Sequence, residues 1–337
     1  MKTIKQVIGI DVSMDTFHAC LGVIDDQQKV VVKSQRSFSN NATGFKQLME
    51  WTEKNLIKDQ CCLFVLEATG VYYEHLAYFL CSKGQALSVL LPNKAKHFAK
   101  SLDIKTKTDK VDAAMLCRIG LERVLTPWQI PSPVMKQIKA LCREYTSLKQ
   151  QEVRIKSRQH AYKHSFEPER NTIKRLEMQL SLIVGQQKEV MKEIRQYVKQ
   201  DEKLSSKVEN IEQVKGLGFI SIITVISETN GFACVENTKQ LSSYCGLDVV
   251  MNQSGKHYGR TRISKKGNNQ IRAALYMPAL SAMRSNLRLK QFYDQIMTRN
   301  SSGKIGIIAI ERKMLGLIYS LWKNNTIYDP NRNVKII

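Results

Sequence analysis

The chain has no apolar run approaching the length needed to cross a bilayer, and its opening segment, MKTIKQVIGIDVS, runs into a strand pattern without an apolar stretch of signal-peptide length. A membrane span and a secretory leader are therefore not expected. The eight cysteines (Cys20, Cys61, Cys62, Cys81, Cys117, Cys142, Cys234 and Cys245) include no CxxC pair, and the six histidines are scattered. That excludes a zinc-ribbon or disulfide-framework reading and leaves buried, reduced thiols in a cytosolic protein. Acidic residues are scarce: 30 Asp and Glu stand against 52 Lys and Arg, a net charge of +22. Such a balance suits a binder of phosphate backbones, although composition alone leaves ribosomal, chromatin and membrane-surface proteins open. At 337 residues and 43% hydrophobic, the chain can bury a full core, with two or three domains.

Because acids are few, their placement is informative. Asp11 ends the apolar run Val7-Ile8-Gly9-Ile10, Glu67 ends Leu63-Phe64-Val65-Leu66, and Asp109 and Asp112 lie one helical turn apart in KTKTDKVDAAML. Carboxylates gathered at the strand ends of one sheet repel one another unless a cation sits among them. Hard oxygen ligands at such a place select Mg²⁺ or Mn²⁺. In a strongly basic chain the substrate expected for that metal is a polyanion, with nucleic acid the first candidate.

The order of elements fits this chemistry. QVIGIDVS, TFHACLGVI and KVVVKSQRS read as an antiparallel meander, Asn41 to Asn55 as a helix, CLFVLE as a buried strand, Val71 to Cys81 as a second helix and ALSVLLP as another strand. Three antiparallel strands followed by alternating helix and strand is the order of an α/β fold of the ribonuclease H type. From Asn93 to Lys110 a basic loop or short helix carries Lys94, Lys96, Lys100, Lys105, Lys107 and Lys110 against Asp103 and Asp109 alone. It is either a solvated face or a guide for phosphates beside the acids.

After the PWQIPSP linker the texture changes. Val134, Leu141, Leu148, Ile155 and Tyr162 recur every seven residues, with Ile138 and Tyr145 between them and Glu152 and Gln159 diluting the seam. Past SFEPER a second seam runs through Ile173, Leu176, Leu180, Ile183, Val190, Ile194 and Tyr197, with Gln187 in register. Two long amphipathic helices with a Pro-containing turn describe a helical hairpin or a coiled coil between protomers, with a protruding dimerisation arm favoured and a closed helical subdomain the alternative. Gly216-Leu217-Gly218 then resembles the glycine turn of a helix-hairpin-helix element, or is simply a tight turn between helices. Between Gly255 and Arg272 the chain has six basic residues (Lys256, Arg260, Arg262, Lys265, Lys266 and Arg272), three glycines and no acid. Ser254 heads that segment. A Ser-Gly pair is ordinarily a turn, and a serine needs activation before it attacks; Arg260, Arg262 or a nearby metal could stabilise charge developing on a phosphate, and His257 is a weaker candidate base. IGIIAIERKMLGLIYSLW near the end reads as a buried helix, with the tail after Lys323 frayed.

GIDVS, LEATGVYYE, KTKTDKVDAAML, a helical linker, VKGLGFISIITVISE, YCGLDVVMNQSGK and GRTRISKKGNNQIRAALYMPAL, in that order and spacing, resemble the bacterial insertion-sequence transposases of the DEDD type, the bridge-RNA-guided recombinases. The likeness covers nearly the whole chain. It implies an α/β RNase H-like (RuvC-like) domain over 1–126, a long α-helical coiled-coil linker over 127–205 and a mainly helical transposase domain over 206–330, which carries the helix-hairpin-helix-like element and a nucleophilic serine. Asp11, Glu67, Asp109 and Asp112 match the family's catalytic, metal-binding tetrad and Ser254 its nucleophile. Lys105, Lys107, Lys256, Arg260, Arg262, Lys265 and Lys266 are the nucleic-acid contacts expected. The resemblance further implies Mg²⁺ or Mn²⁺ as cofactor, donor and target DNA and a structured non-coding guide RNA as partners, a homodimer or homotetramer, and a bacterial cytoplasmic, nucleoid-associated location without a membrane. The rival readings are a RuvC-like metal-dependent structure-specific nuclease with no serine intermediate, and a non-enzymatic nucleic-acid-binding protein.

Overall fold

Apolar residues alternate along the first strands, and the two faces they define set the architecture of the N-terminal half. The computed structural model describes residues 3–58, 60–233, 235–255, 257–259 and 261–329. The chain divides into two units, Met1–Ile130 and Pro131–Ile337, so the division falls inside the PWQIPSP segment.

In the first unit β1 (Thr3–Val12), β2 (Thr16–Asp25) and β3 (Val30–Ser39) form the expected meander, followed by α1 (Ala42–Asn55), β4 (Cys62–Glu67), α2 (Glu74–Ser82), β5 (Ala86–Leu90), α3 (Pro92–Ser101) and α4 (Asp109–Glu122). The sheet order is β3-β2-β1-β4-β5, with β1 antiparallel to β2 and parallel to β4, and β4 parallel to β5. This mixed sheet is the ribonuclease H-type arrangement anticipated from the strand pattern. Ile8, Ile10, Phe64 and Leu66 face one core with Leu48, Leu76 and Leu80; Val7, Cys20 and Val65 face the other with Leu116 and Ile119 of α4. One boundary differs from expectation, and one open alternative is resolved. Helix α2 begins at Glu74 rather than Val71, because Gly70 takes the left-handed region (φ 59°) and the chain turns before the helix starts. The basic stretch 93–110 is largely helical, since Pro92 supplies a first-turn residue for α3 before the chain leaves the helix at Leu102.

The second unit opens with α5 (Pro133–Lys163) and α6 (Arg170–Gln200). Their seams close on each other within one chain. The polar residues that dilute them are paired across the hairpin: Gln187 Nε2 donates to Glu152 Oε2 (2.9 Å) and to the Leu148 carbonyl (3.3 Å), and Gln159 Nε2 donates to Glu177 Oε1 (3.1 Å). Lys156, Lys149 and Gln187 hold the Glu152 carboxyl down to about 2. A buried polar pair of this kind fixes register, because any slip would leave both partners against apolar side chains.

There follow α7 (Glu202–Glu212), α8 (Phe219–Glu228), α9 (Thr238–Cys245), the two-residue strands β6 (Val249–Val250), β7 (Gln253–Ser254), β8 (His257–Tyr258) and β9 (Arg262–Ile263), then α10 (Asn269–Ser285), α11 (Leu287–Met297) and α12 (Gly303–Asn324). The expected linker and the expected transposase domain share one apolar core, which runs from Ile138 and Ile194 through Ile222 and Leu275 to Ile318. Gly216 sits at φ 98°, where a Cβ would lie 2.6 Å from that of Ala282. Its first role is therefore close packing of the α7–α8 turn on α10. Glu311 of α12 is 3% exposed; burial pushes its carboxyl up to about 7, against the pull of Arg272 and Lys304. Among the described cysteines all are free; Cys20, Cys117, Cys142 and Cys245 are buried, whereas Cys61 is exposed, and Cys234 lies outside the described residues. No helix of the described residues is long and apolar enough to cross a membrane.

Candidate active site

Asp11 lies one residue beyond the Ile10–Leu66 pair of the parallel β1–β4 ladder, and Glu67 lies one residue beyond it on β4. The same sheet end therefore carries both acids. Asp109 and Asp112 occupy the first turn of α4, whose N-cap Thr108 accepts a hydrogen bond from the Val111 amide (3.3 Å). What brings that turn to the sheet is Gly9: a Cβ there would stand 2.1 Å from the Cys117 nitrogen and 2.3 Å from the Ala113 carbonyl oxygen. Helix α4 thus lies with its backbone against β1, two residues before Asp11. A glycine inside a strand pattern signals such an approach in the sequence.

The electrostatics register the gathering. Burial pushes the Asp11 carboxyl up to about 6, and Asp112, Asp109 and Glu67 each add to the rise while Lys107 pulls against it. Burial likewise raises Asp112, with Lys107 opposing and Asp109 reinforcing. All four predicted acids therefore share one field. They do not share a tight shell: among the described residues, no three His, Cys, Asp or Glu side chains stand close enough together to hold a metal ion. Four like charges hold one another off. As a donor set they are all hard oxygens at an electrostatic cost, which is the chemistry a small divalent cation relieves. Thr69 donates to Glu67 Oε1 (3.1 Å), and Lys105 and Lys107 are exposed on the loop leading into α4.

The serine lies in the second unit. Strands β6 and β9 pair, as do β7 and β8 between them in the chain, and Ser254 is exposed on β7 opposite His257. Gly255 takes φ 55° with nothing within 4 Å of where a Cβ would be. His257 is the cross-strand neighbour of Ser254, and among the described residues no hydrogen bond joins their side chains. At the base of the hairpin Ser264 donates to Asp248 Oδ1 (2.5 Å), and Lys265 (φ 52°) donates its amide to the Gly246 carbonyl (3.0 Å). Arg262, Lys265 and Lys266 are on or near the surface there, while Lys256 and Arg260 lie outside the described residues. Arg272 turns inward instead, with Nη1 donating to the carbonyls of Cys245 (2.6 Å) and Gly267 (3.2 Å).

Two family models match the chain, a transposase model named for DEDD and IS110 over residues 8–162 and the transposase IS116/IS110/IS902 family over residues 208–294. The first spans Asp11, Glu67, Asp109 and Asp112; the second spans Ser254 and the basic loop. The chain belongs to the IS110 family of transposases. As a member it is an enzyme of DNA recombination, a transposase of the insertion-sequence type. This transposase is similar along nearly its whole length to the pilin gene-inverting proteins of Moraxella bovis and Moraxella lacunata, each 28% identical over 96% of this chain and 98% of theirs. Among solved structures, Thermus thermophilus RuvC in complex with a Holliday junction substrate is similar at 9% identity over 36% of this chain and 99% of its own, with a TM-score of 0.28. The fold assignment rests on the strand order itself.

Sequence reasoning passed over one group in the transposase's second unit. Glu228, at the end of the apolar run ISIITVISE, is a buried acid beneath the basic loop. An acid directly closing an apolar helix was its only sequence signal.

Proposed function

We propose that this transposase cuts and rejoins DNA through a covalent phosphoserine at Ser254, with Asp11, Glu67, Asp109 and Asp112 as the carboxylate site and a structured guide RNA choosing the DNA. The observation that carries the reading is the gathering of four carboxylates in one field at one end of a sheet, in a chain of net charge +22. Those four residues would hold Mg²⁺, or Mn²⁺ in its place. When bound, the ion supplies neutralisation of charge building on a phosphate oxygen.

The serine does the covalent work. Ser254 Oγ gives up its proton and forms a bond to phosphorus; the P–O bond to one DNA hydroxyl breaks, and that oxygen leaves with a proton. Attack by the hydroxyl of another strand on the phosphoserine reverses the sequence and frees Ser254. Each phosphodiester broken is replaced by a phosphoester, so no external nucleotide is consumed. Arg262, with Arg260, would stabilise charge on the phosphate, and Lys105, Lys107, Lys256, Lys265 and Lys266 would hold backbone phosphates of DNA or RNA. Base pairing by the RNA, not side chains, would then read sequence. In this reading the serine of one protomer works with the carboxylates of another, so the working form is a homodimer or homotetramer in the bacterial cytoplasm, on nucleoid DNA. The Moraxella relatives are named for inverting a pilin gene, a rearrangement that likewise needs DNA strands cut and rejoined.

Purified protein, RNA transcribed from the element's non-coding flank, matching nicked DNA and Mg²⁺ provide the test, read by denaturing electrophoresis and mass mapping. An adduct at Ser254 that disappears in Asp11→Ala supports the reading. Cleaved DNA without an adduct would instead make the protein a metal-dependent structure-specific nuclease.

A further inference from the structure

The Glu228 carboxylate is 1% exposed at the C-terminal end of α8. It receives a fork from Arg143, with Nε on Oε1 at 2.6 Å and Nη2 on Oε2 at 2.9 Å. Lys139 Nζ stands 3.6 Å from Oε2, and Asn268 Nδ2 donates to the same oxygen at 2.8 Å. Tyr244 Oη donates to the Glu228 carbonyl at 2.9 Å, while the Asn268 amide donates to the Tyr244 carbonyl at 2.8 Å. The carboxylate thus joins α8 to α5 and to the start of α10, and the backbone carbonyl of the same residue adds α9.

Asn268 is the link to the surface. Its Oδ1 caps α10 by accepting from the amides of Gln270 (2.9 Å) and Ile271 (3.3 Å), leaving its amide nitrogen for Glu228. The four residues before it, Ser264 to Gly267, form the loop that carries Lys265 and Lys266. Gly267 lies so close to α9 that a Cβ would meet the Tyr244 carbonyl oxygen at 2.4 Å. The loop is therefore pinned at one end by Ser264 on Asp248 and at the other by Asn268 on Glu228. A buried ion pair is weak evidence for stability, since apolar replacements of similar volume are often as stable, so its contribution is sought in the geometry it fixes.

We propose that Glu228 is a positioning residue: through Asn268 it sets the path of the 264–267 loop and so holds Lys265 and Lys266 where they grip a nucleic-acid backbone. The inference rests on the reading above that this loop binds phosphate. Lysines on a loop of fixed path pay less ordering entropy when they meet a phosphate than lysines on a loose one. Neutralising the anchor removes the side-chain fastening at the Asn268 end of the loop while leaving both lysines in the chain.

The test measures binding of a short, labelled, mixed-sequence DNA duplex by fluorescence anisotropy across a NaCl series, alongside thermal unfolding of each full-length variant. Lys265→Ala with Lys266→Ala is expected to flatten the dependence of log K on log salt by roughly 1 for each lysine. Glu228→Gln leaves one acceptor oxygen for the donors of Arg143, Lys139 and Asn268 and is expected to give at least half of that flattening. Asn268→Asp keeps the helix cap but sets carboxylate against carboxylate, and should do the same. Combining Glu228→Gln with Asn268→Asp restores a hydrogen bond of reversed polarity and is expected to recover the wild-type slope. A merely structural Glu228 would lower the unfolding temperature without moving the slope, and that result overturns the inference while leaving the loop as an interface. If the two lysine substitutions themselves leave the slope unchanged, the interface reading falls and the positioning role falls with it.

Discussion

The carboxylates and the serine are built in opposite ways. The four acids sit on regular elements, at the ends of two neighbouring strands and in the first turn of a helix held by backbone contact at Gly9. The serine sits on a hairpin of two-residue strands, exposed, with a glycine beside it in open space. A site that must hold several like charges in a fixed relation needs a scaffold that cannot yield. On the proposed reading, a serine that must enter a DNA phosphodiester is better placed on a projection whose base, not tip, is fastened.

The largest effect that can sharpen this contrast is on chemistry. Ser254→Ala and Asp11→Asn should each reduce strand joining on the order of 10³-fold or more in a strand-transfer assay. Asp11→Asn should bind DNA at least as tightly as the parent, since it removes a negative charge from the site. A weaker duplex affinity in Asp11→Asn would break the separation of chemistry from binding. Next comes the scaffold. Gly9→Val forces a side chain into the Cys117 backbone and should cost about 3 kcal/mol in denaturant unfolding, because neither β1 nor α4 can move without disturbing the sheet.

A pH effect separates the core of the second unit from its surface. Burial raises the Glu311 carboxyl from 4.5 to about 7, so the folded state binds its proton more tightly than the unfolded chain does. Stability from this group is therefore full below pH 4.5 and lost as pH rises towards about 7. Glu311→Gln should be neutral at the acid end and stabilising by about 2 kcal/mol above neutrality, read from urea unfolding as a function of pH. The smallest effect is expected at the hairpin: Gly255→Ala meets only its own positive φ and should cost about 1 kcal/mol or less. A loss there as large as at Gly9 would mean that the projection is packed more firmly than its surroundings indicate.

Much of the first unit was legible because its signals are local. Apolar runs that end in Asp11 and Glu67 announce strands and place their acids, and Asp109 with Asp112 announces a helix face. Glu152 and Gln159 looked like flaws in a seam and turned out to be half of cross-hairpin pairs whose partners, Gln187 and Glu177, lie on the other helix. Strands as short as Val249–Val250 and Arg262–Ile263 carry no readable period, so the hairpin around Ser254 could be read only as a loop. Glu228 escaped because its meaning depends on Arg143 and Asn268, 85 and 40 residues away. The inward turn of Arg272 had the same cause: its partners are carbonyls, which no residue name reveals.

The long hairpin of the second unit is also a ruler. Each of its helices has 31 residues, which at the rise of an α-helix makes a strut of about 45 Å, ending beside a 93% exposed Phe166. That exceeds the roughly 34 Å of one turn of duplex DNA. Because the Gln187–Glu152 pair fixes the register of the two helices, removing a matched heptad from each would keep their seams aligned and shorten the strut by about 10 Å in a single step. Distance in this molecule is counted in units, not adjusted by degrees.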